Sequence, residues 1–446
     1  MPQNSFTLQG PFSASRSGPL SGDFAAPGDK SISHRSLIFG GLANGNTQIE
    51  GLLESEDVIN TAKAIAALGA DVQNLGDNRW SVTGLGGKFE SPNADLDFGN
   101  SGTGARLMMG VVAGTGATAR FVGDESLSGR PMRRVTDPLS EMGADVTTTE
   151  GRLPVTVESA PLDAIRYTPP VASAQVKSAL LLAGLGAAGT TVIHEPTPTR
   201  DHTETMLKLF GAQISVETTD GGWTISLPGE QTLTATPVRV PGDPSSAAFA
   251  VVAALITPGS EVTLRGVMDN PARTGLYTTL KEMGADLEIT PASDMAGEKT
   301  IDIRARHSSL TGVSVPEDRA PSMIDEYPIL GVAAAAAEGV TRMNGLAELR
   351  AKESDRLMGT SDLLTANGVE TIIRDDGLDV VGTGGTVPGG GHVITHHDHR
   401  IAMSALVLGL ISAEPVKIDD ASMIGTSYPG FLDHMLGLGA KMEPCE

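Results

Sequence analysis

Two hydrophobic patterns alternate along this chain. Short segments in which apolar and polar residues alternate, such as residues 71–73 and 80–83, predict strands with one buried face. Longer segments of small apolar residues, such as 247–256 and 402–411, predict helices that are buried on every side. These elements recur in the order helix, strand, helix, strand, strand, which predicts an α/β protein.

One helix ending marks the repeats. The second helix of each copy closes in L-G-A or a related sequence, at Gly69, Gly143, Gly211, Gly284, Gly368 and Gly439. Glycine is favoured there because the residue that ends a helix often takes a left-handed conformation. The endings recur about every seventy residues and so predict six copies of one unit.

The sixth copy lacks a final strand, because the chain ends at Glu446 soon after the last glycine ending. Two N-terminal segments, 6–8 and 20–25, precede the first copy. We therefore expect the N-terminal segment to complete the last copy. Three copies per domain then give a first domain of residues 26–240 and a second of residues 1–25 plus 241–446.

Composition excludes several classes of protein. The 446 residues contain one cysteine, Cys445, so neither a disulfide framework nor a cysteine zinc site is expected. The apolar runs are shorter than the roughly 20 residues of a membrane span, and the polar N-terminus does not resemble a signal peptide. We expect a cytoplasmic protein.

The formal net charge of -22 and the low aromatic content of 4% argue against a nucleic-acid-binding surface. An anionic ligand would need a local cluster of cations. The segment P-G-D-K-S-I-S-H-R, residues 27–35, supplies one at a predicted helix start. Free backbone N–H groups and the helix dipole favour anions at such a position.

The other predicted helix starts, and two loops, hold most of the remaining polar candidates. They are Lys30, Ser31 and Arg35; Asn100, Gly102 and Arg106; Ser173, Gln175 and Lys177; Asp325 and Glu326; Arg400; and, in the loops, Arg130, Lys352, Glu353 and Arg356. Guanidinium groups recognise planar carboxylate and phosphate groups with paired hydrogen bonds. The pattern predicts a site for two anionic groups.

Several of these residues also have a structural interpretation. Arg106 and Lys177 lie inside helical patterns and are expected to be structural, and His34 to be buried and hydrogen-bonded. Glu326 is interpreted as an outward-facing neighbour of Asp325. The histidines at 396, 397 and 399 suggest a helix cap formed with the aspartate at 398, not a zinc site.

The motifs together resemble the enolpyruvyl transferases. The resemblance rests on P-G-D-K-S-I-S-H-R, F-G-N-S-G-T, A-S-A-Q-V-K-S-A, R-D-H-T-E, D-R-A-P-S-M-I-D-E-Y-P and A-K-E-S-D-R, in this order. It covers the chain from about residue 20 to its end and is closest to the branch that uses shikimate 3-phosphate. It implies two domains of three βαβαββ units each, with a cleft between the domains.

The resemblance also implies a reaction. The enolpyruvyl group of phosphoenolpyruvate would move to the 5-hydroxyl of shikimate 3-phosphate, with release of phosphate. The implied ligands of shikimate 3-phosphate are Lys30, Ser31, Arg35, Ser173, Gln175, Asp325 and Lys352. Those of phosphoenolpyruvate are Lys30, Asn100, Gly102, Arg130, Gln175, Arg356 and Arg400. Asp325 would act as the base and Glu353 as the acid, with Lys30 between them.

No cofactor, metal, nucleic acid or membrane partner is implied, and a monomer is expected. One departure is Thr426, where many relatives carry a lysine. The resemblance also implies inhibition by glyphosate, because Gly102 leaves the phosphoenolpyruvate pocket open. Three alternatives are weighed: a sister enzyme acting on a UDP-amino sugar, an RNA-end cyclase of related fold, and a non-catalytic binding module.

Overall fold

The structure is a computed structural model that describes residues 8–446, and its contacts divide the chain into two compact units. The central unit comprises Gly28–Pro241 with Met295–Glu298, and the terminal unit comprises residues 8–27, Gly242–Asp294 and Lys299–Glu446. The division into domains at residues 26 and 240 stays a prediction. Among the described residues, no helix is long and apolar enough to cross a membrane.

Within residues 8–446, six four-stranded sheets share one strand order. A leading strand pairs parallel with the second strand, which pairs antiparallel with the third, and the fourth pairs with the third at the sheet edge. The sheets of the central unit are Val238–Arg239, Asn44–Glu50, Arg79–Leu85, Asp71–Gly76; Leu96–Asp97, Ala119–Val122, Arg152–Glu158, Asp145–Thr149; and Arg166–Tyr167, Thr190–Glu195, Gly222–Pro228, Ser215–Thr219. Those of the terminal unit are Ser21–Ala25, Glu261–Met268, Thr300–Arg306, Asp286–Pro291; Ser314–Val315, Val340–Asn344, Gly377–Val381, Thr371–Arg374; and His392–Val393, Val416–Ile418, Phe12–Ser15, Lys441–Pro444. A further pair joins Val387–Gly389 to Ser412–Glu414.

Two kinds of helix accompany the sheets. The first helix of each copy is almost wholly buried, as the apolar patterns predict: Lys30–Leu42, Gly102–Thr115, Ala174–Gly184, Pro244–Ile256, Tyr327–Ala336 and His399–Gly409. The second has an exposed face: Glu56–Ala67, Arg133–Glu141, His202–Leu209, Gly275–Glu282, Arg356–Ala366 and Phe431–Gly437. Shorter helices are Glu125–Gly129 and the 3₁₀ segments Glu317–Ser322, Ala347–Ala351 and Ser422–Thr426.

The glycine endings have the conformation that the sequence predicts. All six have positive φ, between 80° at Gly368 and 102° at Gly69 and Gly143. A side chain would be strained at such an angle. Each glycine therefore ends its helix and returns the chain to the sheet.

One helix begins later than its pattern suggests. Asp325 and Glu326 were expected at the start of a helix, but the helix begins after them, at Tyr327. Pro328 explains the shift, because proline fits the first turn of a helix but not its interior. Asp325 and Glu326 therefore lie in the turn that precedes the helix.

The strand Phe12–Ser15 occupies the third position of the last sheet. It pairs antiparallel with Val416–Ile418 on one side and with Lys441–Pro444 on the other. The later segment Ser21–Ala25 is the leading strand beside Glu261–Met268. Of the strand expected at residues 6–8, residues 6 and 7 lie outside the described residues, and Leu8 is not in a strand.

We predict that Phe12→Ala destabilises the terminal unit by about 3 to 5 kcal/mol, because it removes a fully buried ring from the centre of a sheet. Urea unfolding followed by far-UV circular dichroism measures the loss. Hydrogen exchange at Val416–Ile418 and Lys441–Pro444 should rise with it. The control is Ile394→Ala, a terminal-unit side chain that is 51% exposed and should cost little. Equal stability of the two variants would contradict the importance of this strand.

Candidate active site

The start of the Lys30–Leu42 helix explains much of the motif P-G-D-K-S. The side chain of Asp29 caps the helix by accepting a hydrogen bond from Ile32 N at 2.7 Å. A Cβ on Gly28 would lie 2.1 Å from the carbonyl oxygen of Gly51, so only glycine fits beside that backbone. The motif thus builds a closely packed helix start that presents Lys30 and Ser31.

Arg35 is buried one turn further on, with 3% of its surface exposed. Its Nε donates to Thr203 Oγ1 at 2.8 Å, and its Nη2 donates to Ser178 Oγ at 2.8 Å. Its Nη1 donates to the carbonyl oxygen of Ser31 at 3.0 Å. The guanidinium is therefore anchored to three segments of the central unit. Lys30 Nζ lies 3.1 Å from a carboxylate oxygen of Asp57.

Gln175 joins two other helix starts of the central unit. Its Oε1 accepts from Arg106 Nη1 at 2.6 Å, and its Nε2 donates to Thr103 Oγ1 at 2.9 Å. Arg106 also donates to the carbonyl oxygen of Pro131 at 3.2 Å, which agrees with a structural role. Ser173 caps the Ala174–Gly184 helix, its Oγ accepting from the third residue along. The amide of Gln175 is thus held in one orientation.

Arg130 and Asn100 are hydrogen-bonded to each other beside Gly102. The Nη2 of Arg130 donates to Asn100 Oδ1 and, at 3.2 Å, to Ser126 Oγ. Asn100 Nδ2 donates to Asp124 Oδ2 at 3.0 Å. A Cβ on Gly102 would lie 3.1 Å from Arg130 Nη1. The bare glycine therefore leaves room for this guanidinium.

Arg356 organises the polar residues of the terminal unit. It is 1% exposed and contacts one oxygen of each of three carboxylates. Nη1 lies 3.0 Å from Asp325 Oδ1, Nη2 2.5 Å from Glu353 Oε2, and Nε 2.8 Å from Asp398 Oδ2. Burial lowers the pKa of Arg356, but Asp398, Glu353 and Asp325 raise it by more, so the pKa lies above its ordinary value.

Lys352 and Arg400 complete this group. Lys352 Nζ lies 3.3 Å from Asp325 Oδ1. Arg400 Nη1 donates to the carbonyl oxygen of Asp325 at 3.0 Å. Asp398 caps the His399–Gly409 helix, since its Oδ1 accepts from Arg400 N at 2.9 Å. The structure thus brings together the candidates Asp325, Lys352, Glu353, Arg356 and Arg400 predicted for this unit.

The interpretation of Glu326 as outward-facing is wrong. Its side chain is buried, accepts a hydrogen bond from Ser245 Oγ and lies 3.5 Å from Arg400 Nη1. Hydrophobic periodicity could not indicate this burial, because Glu326 precedes the helix and lies in a turn. Ser245 belongs to a different helix and could not be matched to it by spacing.

His34 has the structural setting that was expected, and the helix cap expected near the later histidines is made by the side chain of Asp398. His34 is fully buried, and its Nδ1 is 2.8 Å from Thr61 Oγ1. Burial, with Lys30 and Arg35 nearby, holds the pKa of His34 well below its usual range. His396 and His397 are exposed. Among the described residues, the group whose atoms come close enough to hold an ion is elsewhere, at Asp201, His202 and Glu298.

Lys177 is also structural in its contacts, as expected. Its ammonium is fully buried, 2.7 Å from Glu195 Oε2 and 2.8 Å from Glu204 Oε1. Burial lowers the pKa of Lys177, but the two glutamates raise it by more, so the group is charged. For Glu204, burial raises the pKa of the carboxyl by more than Lys177 lowers it, so this pKa lies above its ordinary value.

Comparison with known proteins places this arrangement in a family. The sequence model described as EPSP synthase (3-phosphoshikimate 1-carboxyvinyltransferase) matches residues 15–435. The chain belongs to the EPSP synthase family. A 3-phosphoshikimate 1-carboxyvinyltransferase of Maricaulis maris is 63% identical over 438 residues, which cover 98% of both chains. One of Methylorubrum populi is 58% identical over 441 residues, covering 97% of both.

Two solved structures are similar to this chain. The EPSP synthase of Acinetobacter baumannii is 42% identical with a TM-score of 0.86, over 98% of this chain and 100% of that one. The enolpyruvyl transferase NikO of Streptomyces tendae is 19% identical with a TM-score of 0.75, over 98% and 99% of the chains, and shows likeness of fold alone. The predicted family, fold class and enzyme class are confirmed.

The sequence did not reveal which residues support the candidates. Asp57, Thr203, Ser178 and Asp398 contact Lys30, Arg35 or Arg356 but were not among the predicted ligands. Asp57 carries a local signal, because it follows Glu56 in an acidic first helical turn. Thr203 and Ser178 lie within the motifs R-D-H-T-E and A-S-A-Q-V-K-S-A, but these motifs do not indicate that the two hydroxyl groups contact Arg35.

Proposed function

We propose that this chain transfers the enolpyruvyl group of phosphoenolpyruvate to the 5-hydroxyl of shikimate 3-phosphate. The products are 5-enolpyruvylshikimate 3-phosphate and phosphate. Besides family membership, the proposal rests on the two carboxylate side chains that contact Arg356. Asp325 and Glu353 contact two different nitrogens of one buried guanidinium, which gives an acid and a base a fixed geometry.

The proposed ligands of shikimate 3-phosphate offer cations and hydroxyl groups to its phosphate, carboxylate and hydroxyls. They are Lys30, Ser31, Arg35, Ser173, Gln175, Asp325 and Lys352. Arg35 is suited to a planar anion because its side chain is already ordered by three hydrogen bonds. Ser173 and Gln175 lie at a helix start, where backbone N–H groups favour an anion.

The proposed ligands of phosphoenolpyruvate are rich in arginine. They are Lys30, Asn100, Gly102, Arg130, Gln175, Arg356 and Arg400. Guanidinium groups suit both the carboxylate and the phosphate of this substrate. Buried guanidinium groups such as those of Arg130 and Arg356 act in a low dielectric, where they stabilise a developing negative charge more than they would in water.

The reaction requires two proton movements. In the addition step, the 5-hydroxyl oxygen bonds to C2 of phosphoenolpyruvate while Asp325 accepts the hydroxyl proton and Glu353 donates a proton to the methylene carbon. In the elimination step, the Glu353 carboxylate takes a proton back from the new methyl group, the bond between C2 and the phosphate oxygen breaks, and the departing phosphate takes the proton held by Asp325. Lys30 is proposed to stabilise charge as the proton moves. Action in the cytoplasm and as a monomer stay predictions.

A phosphate-release assay tests the reaction. Phosphate should appear only when phosphoenolpyruvate and shikimate 3-phosphate are both present, together with one equivalent of enolpyruvyl product seen by mass spectrometry. Release from phosphoenolpyruvate alone would indicate hydrolysis and contradict the proposal. Release with a UDP-amino sugar in place of shikimate 3-phosphate would assign the chain to the sister reaction.

We predict that Asp325→Asn lowers kcat about 100-fold or more while both substrates still bind, because an amide keeps the shape of the side chain but cannot accept the hydroxyl proton. Steady-state kinetics and calorimetric binding measure the two effects. The control is Asp379→Asn, another buried aspartate of the terminal unit, which is paired with Arg374. A near-normal kcat for Asp325→Asn would move the base elsewhere.

We predict that glyphosate inhibits the wild-type protein, and that Gly102→Ala raises the inhibition constant more than the KM for phosphoenolpyruvate. The added methyl would lie 3.1 Å from Arg130 Nη1 and 3.3 Å from Arg106 Nη1, so both guanidinium groups must move by a few tenths of an ångström. The longer ligand tolerates a narrowed pocket less well than the substrate does.

Gly129→Ala is the matched control for this comparison, because a Cβ there has no neighbour within 4 Å although the next residue is Arg130. This variant should change neither the inhibition constant for glyphosate nor the KM for phosphoenolpyruvate. Insensitivity of the wild-type protein to glyphosate, or an equal rise of both constants in Gly102→Ala, would refute the steric argument.

A further inference from the structure

The segment R-D-H-T-E and the buried Lys177 have no part in the proposed chemistry. Thr203 and Glu204 belong to this segment and lie in the first turn of the His202–Leu209 helix. Lys177 and Ser178 are consecutive residues of the Ala174–Gly184 helix. All four side chains are at most 2% exposed. Four adjacent polar side chains in an apolar interior must be held by specific contacts.

Those contacts join the two helices twice. Lys177 Nζ lies 2.8 Å from Glu204 Oε1. Ser178 follows Lys177 in one helix, and Thr203 precedes Glu204 in the other. Thr203 Oγ1 donates a hydrogen bond to Ser178 Oγ at 2.7 Å. Breaking a buried ion pair is strongly unfavourable, so the pair of charged groups fixes the helices against each other. The two hydroxyl groups are thereby fixed as well.

The two hydroxyl groups are the ones that bind Arg35. Thr203 Oγ1 accepts from Nε, and Ser178 Oγ accepts from Nη2, each at 2.8 Å. The third nitrogen, Nη1, is 3.0 Å from the carbonyl oxygen of Ser31. Three contacts on three nitrogens define the plane of the guanidinium. Thr203 and Ser178 lie 168 and 143 residues from Arg35 in the sequence, so tertiary structure sets this plane.

We propose that Lys177, Ser178, Thr203 and Glu204 form a positioning network that sets the orientation of the Arg35 guanidinium for the anionic groups of shikimate 3-phosphate. This inference rests on the proposed function, which makes Arg35 a ligand of that substrate. Paired hydrogen bonds to a carboxylate or phosphate require the guanidinium plane to be aligned with the two acceptor oxygens. An arginine that is already oriented loses less conformational freedom on binding.

The choice of hydroxyl groups has a chemical reason. A hydroxyl oxygen accepts a hydrogen bond from the guanidinium without cancelling its positive charge, so the charge still attracts an anionic ligand. Glu204 of the network, together with Glu195, contacts Lys177 instead, where the negative charge balances the ammonium. Orientation and charge balance are thus carried out by different members of the network.

Removing one hydroxyl tests the proposal. Thr203→Val keeps the shape of the side chain, and Ser178→Ala is a small truncation. Each should raise the KM and the calorimetric Kd for shikimate 3-phosphate about tenfold or more, the effect of losing a hydrogen bond to a charged group. The KM for phosphoenolpyruvate and the kcat at saturation should change less than about threefold, because the network acts on ground-state binding of one substrate.

Two further variants separate positioning from general structure. Thr203→Ser restores a hydroxyl and should return the affinity for shikimate 3-phosphate to near the wild-type value. Ser36→Ala removes another buried hydroxyl of the Arg35 helix, which donates to the carbonyl oxygen of Ile32 at 2.8 Å, and should leave that affinity unchanged. Equal effects of Ser36→Ala and Ser178→Ala would overturn the proposal.

The same substitutions in an Arg35→Met background distinguish this inference from the proposed function. If Arg35→Met leaves the affinity for shikimate 3-phosphate unchanged, the proposed role of Arg35 is wrong. If Arg35→Met weakens binding and Thr203→Val then has no further effect, the hydroxyl acts through Arg35, as proposed. If Thr203→Val is without effect in the wild-type background, or weakens binding equally in both, the positioning network is refuted.

Discussion

A buried guanidinium surrounded by carboxylates is the interaction on which the terminal unit's site depends. Arg356 cannot remain charged at 1% exposure without partners, and Asp325, Glu353 and Asp398 supply them. The arginine in turn stabilises its partners, because each carboxylate gains a cation that holds it in place. Stability and catalysis therefore share the same contacts, and the two proposed proton-transfer groups are oriented by an interaction that the interior needs anyway.

The central unit meets the same requirement in another way. Its buried cations have separate partners: Lys177 contacts two glutamates, whereas Arg35 contacts two hydroxyls and a carbonyl oxygen. The neutral acceptors orient the Arg35 guanidinium without cancelling its charge, whereas the glutamates balance the charge of Lys177.

The repeat architecture could be predicted because its signals are local. A glycine with positive φ, such as Gly69, ends a helix for reasons contained within one turn, and hydrophobic periodicity needs only neighbouring residues. The helix starts and loops indicated the candidate anion-binding residues, but their assignment to one substrate or the other came only from family resemblance, since no spacing relates Arg35 to Arg356.

The supporting contacts could not be predicted at all. Thr203 and Ser178 are distant from Arg35 in sequence, and the burial of Glu326 follows from its contact with Ser245, 81 residues away. The late start of the Tyr327–Ala336 helix was missed although Pro328 signals it locally. Sequence patterns thus identify the helices, the strands and the candidate ligand and proton-transfer residues. The contacts that orient these residues depend on tertiary packing.

The most direct test of this account is the kcat of Arg356→Lys at saturating concentrations of both substrates. Lysine keeps the positive charge but cannot hold three carboxylates on a planar fork. We expect a folded protein, shown by an unchanged circular dichroism spectrum, with kcat lowered about 100-fold or more. Arg374→Lys, at an arginine that is 53% exposed and paired with Asp379, serves as the control. A folded Arg356→Lys protein with kcat near the wild-type value would contradict the claim that this guanidinium sets the geometry of Asp325 and Glu353.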